Sequence, residues 1–177
     1  MVSYQTFPLT ESPPPFVSSL VQVFRDHEAS ISTARLERGL KSDQLLSELE
    51  PGLLKLGFQV EKGKTREQKI TRPVLFGENG KPIVNFEIDA YHPDWEMVLE
   101  IEAARAWMGN AVHRDIIRAC VMVGVKYLAL AVPMSYHYSR ANVKTTSPDY
   151  TNTNDLLRVL YNQNGFRLPY KVILIGY

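Results

Sequence analysis

Only one cysteine, Cys120, occurs in the 177 residues, so no intrachain disulfide can form. A chain of this length builds a sizeable core without one, and a reducing, cytoplasmic compartment is the expectation. Within the apolar run IIRACVMVG, Cys120 is expected as a buried small hydrophobe. The N-terminal stretch MVSYQTFPLTESPPPF lacks a basic segment followed by an apolar run, so no signal peptide is expected. The longest nearly apolar stretch, ACVMVGVKYLALAVP, is too short to span a bilayer and contains Lys126, so no membrane partner is expected. There is little excess of charge: 20 Lys and Arg against 19 Asp and Glu give a net charge of +1. Any contact with a nucleic acid must therefore come from a local basic patch. The four histidines, His27, His92, His113 and His137, show neither HxH nor HxxxH spacing. A Walker-type glycine loop and a GxSxG elbow are also missing, which leaves P-loop and serine-hydrolase chemistry without support.

What is present reads as one domain over residues 1–177, without internal repeats. Residues 1–41 read as an N-terminal extension. In it, Pro13–Pro15 lead into a helix over about Phe16–Ser30, with Phe16, Leu20, Val23 and Phe24 along one side. A core is expected over residues 42–133. Ser42 caps a helix whose buried stripe is Leu45, Leu46 and Leu49; Pro51-Gly52 is expected to interrupt it, with one more turn before Gly57. A short strand at Phe58–Glu61 precedes a hairpin of Ile70–Phe76 and Pro82–Tyr91, joined by GENG, where Asn79-Gly80 supplies the positive-φ positions. A third strand at about Met97–Ala103, a helix from Asn110 to Gly124 and the buried strand KYLALAV follow. Residues 134–177 are expected to hold a long Tyr/Ser/Thr/Asn-rich loop over Met134–Thr153, a helix at about Asn154–Asn162 and a strand at about Tyr170–Ile175. The class is α/β, with helices packed on a mixed sheet.

The stretch FEIDAYHPDWEMVLEIEAARAW carries six carboxylates: Glu87, Asp89, Asp94, Glu96, Glu100 and Glu102. Alternate side chains of a strand share a face. Val84, Phe86, Ile88 and Ala90 fall on one side of the first strand, with Glu87 and Asp89 on the other. Met97, Leu99, Ile101 and Ala103 form one face of the next strand, with Val98, Glu100 and Glu102 opposite. The antiparallel register that opposes Asp89 to Glu100 also opposes Glu87 to Glu102. Like charges so placed are destabilising. A cation, a shared proton or incoming basic side chains must offset the repulsion. Oxygen-only ligands suit a hard ion such as Mg²⁺ or Mn²⁺, and such an ion suits phosphodiester hydrolysis. The alternative is an outer polar sheet face, its acids neutralised by neighbouring Lys and Arg.

The order helix, three-strand antiparallel meander, helix, strand, with Asp89 late in the second strand and Glu100-Ile101-Glu102 in the third, resembles the PD-(D/E)XK nuclease superfamily, also called restriction-endonuclease-like. The resemblance covers about Ser42–Pro133. Ile88 stands where the motif has proline and Glu102 where it has lysine; some type II restriction endonucleases are similar in having Glu-x-Glu there. The resemblance implies a Mg²⁺- or Mn²⁺-dependent DNA endonuclease. Asp89 and Glu100 would bind metal through their carboxylates and Ile101 through its carbonyl, Glu102 would orient or activate the water, and Glu48 of the first helix would add an acid.

Arg105, His113, Arg114 and Arg118 follow the motif and are candidates for phosphate contact; Asp115–Arg118 reads as an i,i+3 pair on a solvated helix face. Val112, Ile116, Ala119, Cys120 and Val123 form that helix's expected core face. KGKTREQK (Lys62–Lys69) is a basic loop able to track a phosphate backbone, and Tyr136 and Tyr138 are candidates for stacking on bases. A homodimer is an expectation drawn from the need for two sites in duplex cleavage. The competing reading is a catalytically inactive relative that binds nucleic acid or protein.

Overall fold

Apolar runs of four to six residues at the centre of the chain become strands, and the 3.6-periodic segments become helices laid on both sides of them. The computed structural model describes residues 1–33, 39–140, 143–165 and 167–177. In chain order the elements are β1 (Ser3–Phe7), α1 (Phe16–Asp26), α2 (Glu28–Ile31), α3 (Ser42–Leu56), β2 (Gln59–Val60), β3 (Ile70–Phe76), β4 (Pro82–Ile88), β5 (Ala90–His92) and β6 (Met97–Ile101). They continue with α4 (Ala111–Val121), β7 (Tyr127–Val132), β8 (Tyr136–Arg140), β9 (Val143–Ser147), α5 (Asp149–Asn162) and β10 (Lys171–Gly176).

The main sheet has the order β1-β10-β7-β6-β5-β2. Strands β6, β7 and β10 are parallel; β1, β5 and β2 pair antiparallel at the two flanks. Strand alternation divides the core into two layers. Met97, Leu99 and Ile101 of β6, with Ala129 and Ala131 of β7, face α1 and α3. Val98, Leu128 and Leu130 face the opposite layer, which holds Val112 and Ile116 of α4 and Leu157 of α5. Leu45, Leu49 and Leu53 of α3 are fully buried, each worth about 2 kcal/mol of burial. Leu49→Ala would cost about 2–5 kcal/mol through the cavity it leaves.

The expected hairpin forms, with Asn79 (φ 57) and Gly80 (φ 69) in its turn. Its second arm, however, is not one strand over Pro82–Tyr91. It breaks at Asp89: β4 pairs with β3 in a separate two-stranded sheet, and β5 pairs with β6 in the main one. The break reverses the facing. Ile88 lies in the α4 layer and Ala90 in the α3 layer, so the two do not share a face as strict alternation requires. It also separates Glu87 from Glu102, since Glu87 pairs across to Thr71 of β3.

Other elements differ for local reasons. The first expected helix is broken at His27 into α1 and α2. Pro51-Gly52 does not interrupt α3, which runs on to Leu56 with Pro51 inside it. A Cβ at Gly52 would lie 2.7 Å from Val23 Cγ1, so the glycine there permits the close approach of α1. Gly57 (φ 101) ends the helix, and the Gly57 and Phe58 N–H groups cap Leu54 and Leu53 carbonyls, both at 3.0 Å. The expected loop over Met134–Thr153 is instead the β8–β9 hairpin followed by the start of α5; positions 141 and 142 lie outside the described residues. The N-terminal residues supply β1, an edge strand on β10, that sequence pattern did not disclose. Cys120 is half-buried and packs on the margin of the α4 layer, Val123 is exposed beyond the end of α4, and Asp115 takes a core position of the helix.

Candidate active site

Three parallel strands end side by side, and ligands of open α/β sheets gather at such carboxyl ends. Glu100 and Glu102 stand at the end of β6. Strand alternation turns Glu100 into the α4 layer, where it is buried with Oε1 lacking any hydrogen-bond partner. Asp89 reaches the same place from the break between β4 and β5. The register Ala90↔Leu99, Tyr91↔Val98 carried one residue further sets Asp89 beside Glu100. Two hydrogen bonds fix it: the Glu61 N–H donates to the Asp89 carbonyl at 2.8 Å, and the Ile101 N–H donates to Asp89 Oδ2 at 2.7 Å.

The first turns of α4 close the cluster from above. Asp115 is wholly buried, with Arg114 Nε 2.9 Å and Arg118 Nη1 3.7 Å from its Oδ1. Arg114 Nη2 also donates to Glu102 Oε1 at 2.8 Å. Below, Lys69 bridges Glu61 at 2.8 Å and Glu87 at 3.4 Å. The Tyr177 hydroxyl donates to the Glu102 carbonyl at 2.8 Å, so the residue that follows β10 holds the end of β6.

Burial dominates the electrostatics. It lifts the Asp89 carboxyl to about 6, with nearby Glu61 and Asp115 adding to the rise and the Ile101 N–H opposing it. Glu100 is pushed well above the usual carboxylate range by burial, then by Asp89 and Asp115; Arg118 opposes. Glu102 is raised to about 8 by burial and by Asp115, with Arg114 opposing. The acids thus compete for too little positive charge, and their upward shifts belong to the cluster rather than to one residue.

Among the described residues, no group of three or more His, Cys, Asp or Glu side chains is arranged to hold a metal ion. Asp89 Oδ2 is turned onto the Ile101 N–H and Glu102 onto Arg114, so these oxygens serve protein donors. Among the described residues, no helix is long and apolar enough to cross a membrane.

This chain aligns over 99% of its length with the crystal structure of restriction endonuclease BglII complexed with a DNA 16-mer, covering 75% of that chain, with a TM-score of 0.51 and 12% sequence identity. The fold is restriction-endonuclease-like. The crystal structure of free BglII aligns over 99% of this chain and 78% of its own, with a TM-score of 0.48 and 10% identity. No protein-family model matches the chain, and no curated protein matches it by sequence.

On this restriction-endonuclease-like frame, Asp89, Glu100, Ile101, Glu102 and Arg114 come together. Glu48 does not join them: it accepts from Ser30 Oγ at 3.3 Å and lies 3.9 Å from His27. Two other acids of α3, Asp43 and Glu50, line a groove of about 140 Å³ with Glu61 and Lys62. Arg105 is exposed and, among the described residues, forms no ion pair with these carboxylates. His113 packs against Trp107, ring centroids 5.0 Å apart, with its Nδ1 buried and unpartnered.

Sequence reasoning missed Asp115, Glu61 and Lys69. For Asp115 a signal existed: with Val112, Ile116 and Ala119 it completes the i, i+3, i+4, i+7 stripe of α4, so its position is a core position. For Lys69 the sequence shows only a charged loop, since nothing in the order of residues indicates that the loop returns to Glu87.

Proposed function

We propose that the chain is a divalent-metal-dependent phosphodiesterase, a DNA endonuclease of the restriction-endonuclease-like fold that uses Mg²⁺ or Mn²⁺. The observation that carries this reading is the hydrogen bond from the Ile101 N–H to Asp89 Oδ2 at 2.7 Å, which ties an acid from one strand break to the Glu-x-Glu of the next strand. The buried, partnerless Glu100 Oε1 supports it, because an orphaned carboxylate oxygen is costly unless something occupies its lone pairs.

The donor chemistry fits a hard cation: oxygen ligands only, with the raised carboxyls of Asp89 and Glu100 in need of positive charge. In this reading the Asp89 and Glu100 carboxylates and the Ile101 carbonyl would hold the ion, with both carboxyls deprotonated. Glu50, which lines a groove with Glu61, would take the role expected of Glu48. The ion, when bound, polarises a phosphate oxygen and acidifies a water. Glu102, its carboxyl raised to about 8, would be the group to orient such a water and take its proton near neutral pH. Arg114 holds Glu102 in place and keeps its titration within reach. Duplex cleavage would bring two such sites together in a homodimer.

A second reading keeps the fold and drops the chemistry. Its support is that Glu102 occupies the position where the superfamily motif has lysine, and that its oxygen is already bound to Arg114. In that case the chain binds nucleic acid without cutting it.

The test is cleavage of genomic DNA, supercoiled plasmid, single-stranded DNA and RNA with Mg²⁺ or Mn²⁺, beside Asp89→Asn. Cleavage by wild type and its loss, by about two orders of magnitude, in a folded Asp89→Asn protein is the expected result. Equal activity in the variant overturns the assignment. Binding without turnover in either metal favours the second reading.

A further inference from the structure

A cleft of about 660 Å³ opens where the carboxylate cluster ends, between the residues that follow Glu102 and the strand β8. Its lining includes Arg105, Lys41, Met108, Tyr136 and Tyr138, and no Asp or Glu is among the described residues that line it. Lys41 and Arg105 make no ion pair among the described residues, whereas Arg114, Arg118 and Lys69 are all committed to carboxylates. The cleft is therefore a local positive site in a chain of net charge +1.

Tyr136 and Tyr138 stand two apart on β8 and so share a face. Their rings lie nearly parallel, 11° between planes and 5.8 Å between centroids, and both are half-buried. Neither phenol has a hydrogen-bond partner among the described residues, so the pair is not tied into the fold by its hydroxyls. Arg105 holds a left-handed backbone (φ 56) in the exposed turn that borders the cleft. The cleft is also anchored to the acids. Tyr177 donates to the Glu102 carbonyl at 2.8 Å, Thr33 Oγ1 donates to the Tyr177 carbonyl at 2.9 Å, and the Ser135 N–H donates to Thr33 Oγ1 at 3.4 Å, one residue before Tyr136.

Aromatic faces and unpaired cations in one groove suit a strand whose bases are out of a duplex, because paired bases hide their faces in the stack. We propose that this cleft binds unpaired nucleotides of the strand next to the scissile phosphate: bases stack on Tyr136 and Tyr138, and phosphates meet Lys41 and Arg105. The substrate is then nucleic acid with single-stranded character rather than a blunt duplex. The inference rests on the nucleic-acid reading given above.

The experiment measures binding by fluorescence anisotropy in EDTA, where no cleavage occurs. The probes are a labelled single strand, the blunt duplex of the same sequence and a duplex with a single-stranded tail, each as DNA and as RNA. The single strand and the tailed duplex are expected to bind wild type about tenfold or more tighter than the blunt duplex. Changing Tyr136→Ala and Tyr138→Ala together removes about ten- to a hundredfold of that affinity and leaves the blunt duplex unaffected; Phe at both positions retains it. Lys41→Ala with Arg105→Ala weakens every probe and flattens the salt dependence. A strand carrying 5-iodouracil, crosslinked to wild type by light, gives a second readout that needs no variant: the adduct is expected on Tyr136 or Tyr138.

Equal affinity for blunt and unpaired probes, no binding to any probe, or adducts confined to other residues overturns the inference. The relative affinities of DNA and RNA identify which strand the cleft takes. Failure of the nuclease reading looks different: no metal-dependent cleavage, with the preference for unpaired strands intact.

Discussion

Arg114 donates to Glu102 Oε1 at 2.8 Å while its Nε sits 2.9 Å from the buried Asp115, so one guanidinium serves an acid at the end of β6 and an acid inside α4. The sharing explains the state of Glu102. Burial and Asp115 push its carboxyl up, and Arg114 is the main group holding it down.

Removing that guanidinium has a definite sign. In Arg114→Ala the Glu102 pKa rises further above about 8, so a reaction that needs the carboxylate loses rate on its acid side. The acid limb of the pH–rate profile is expected to move to higher pH, with about a tenfold loss at pH 7 that shrinks by pH 9. Arg114→Lys keeps the charge but not the two-pronged geometry, and falls between the two. A pH–rate profile that keeps its shape and simply drops would argue that Arg114 acts only through folding.

Stability without metal carries the opposite dependence on pH. Glu102 titrates near 8 when folded against an ordinary value of 4.5, so the folded state holds a proton that the unfolded chain has released. The stability associated with that proton is complete below about 4.5 and is lost as pH rises through about 8. Glu102→Gln cannot lose it. The variant is expected to melt higher than wild type at pH 9 and level with it at pH 4.5. Parallel melting curves across this window would show that Glu102 is not raised.

Divalent ions should reverse the loss. An ion bound as proposed would compete with protons on Asp89, near 6, and on the higher Glu100, so its stabilising effect would grow with pH. Saturating Mn²⁺ is expected to raise the melting temperature by about 3 °C or more at pH 8, and by less at pH 6. Asp89→Asn should abolish the increment. An equal shift in that variant would place the ion elsewhere.

Asp149 gives a structural prediction away from the acids. It is buried at the start of α5, accepts from the Trp107 N–H at 3.3 Å and from Ser147 Oγ, and so fixes the turn that follows the Glu-x-Glu strand. Asp149→Ala leaves those donors unmatched and is expected to cost about 2 kcal/mol in urea unfolding, with Asn recovering part of it.

Much of this frame could be read from the order of residues. The GENG turn and the α4-to-β7 succession follow from local chemistry: positive-φ residues, a helical apolar stripe and a buried run. The antiparallel register could be read as well. Slipping it by one residue would move Met97, Leu99 and Ile101 from one core layer to the other, so burial enforces the pairing Ala90↔Leu99. Asp89 and the Glu-x-Glu stretch were legible for the same reason, since strand parity dictates the face on which Glu100 emerges.

The remainder depended on contacts between segments far apart in sequence. Strand alternation holds only while a strand continues, and the break at Asp89, where the chain passes from β3's partner to β6's partner, is visible only when both partners are placed. Glu48 and Glu50 lie two apart on one helix, and the packing of α2 against α3 decides that Glu48 meets Ser30 while Glu50 faces the groove of Glu61. Asp115 looked like half of a surface pair until α4 lay on the sheet and enclosed it. The sequence by itself determined the central helices and strands, the pairing of Ala90 with Leu99 and which acids end β6, because these follow from periodicity and turn chemistry within a few residues. Only the tertiary structure decided which cations reach those acids, which acids lose their water and where the cleft of Tyr136 and Tyr138 opens, because burial and charge pairing are properties of surfaces brought together by folding.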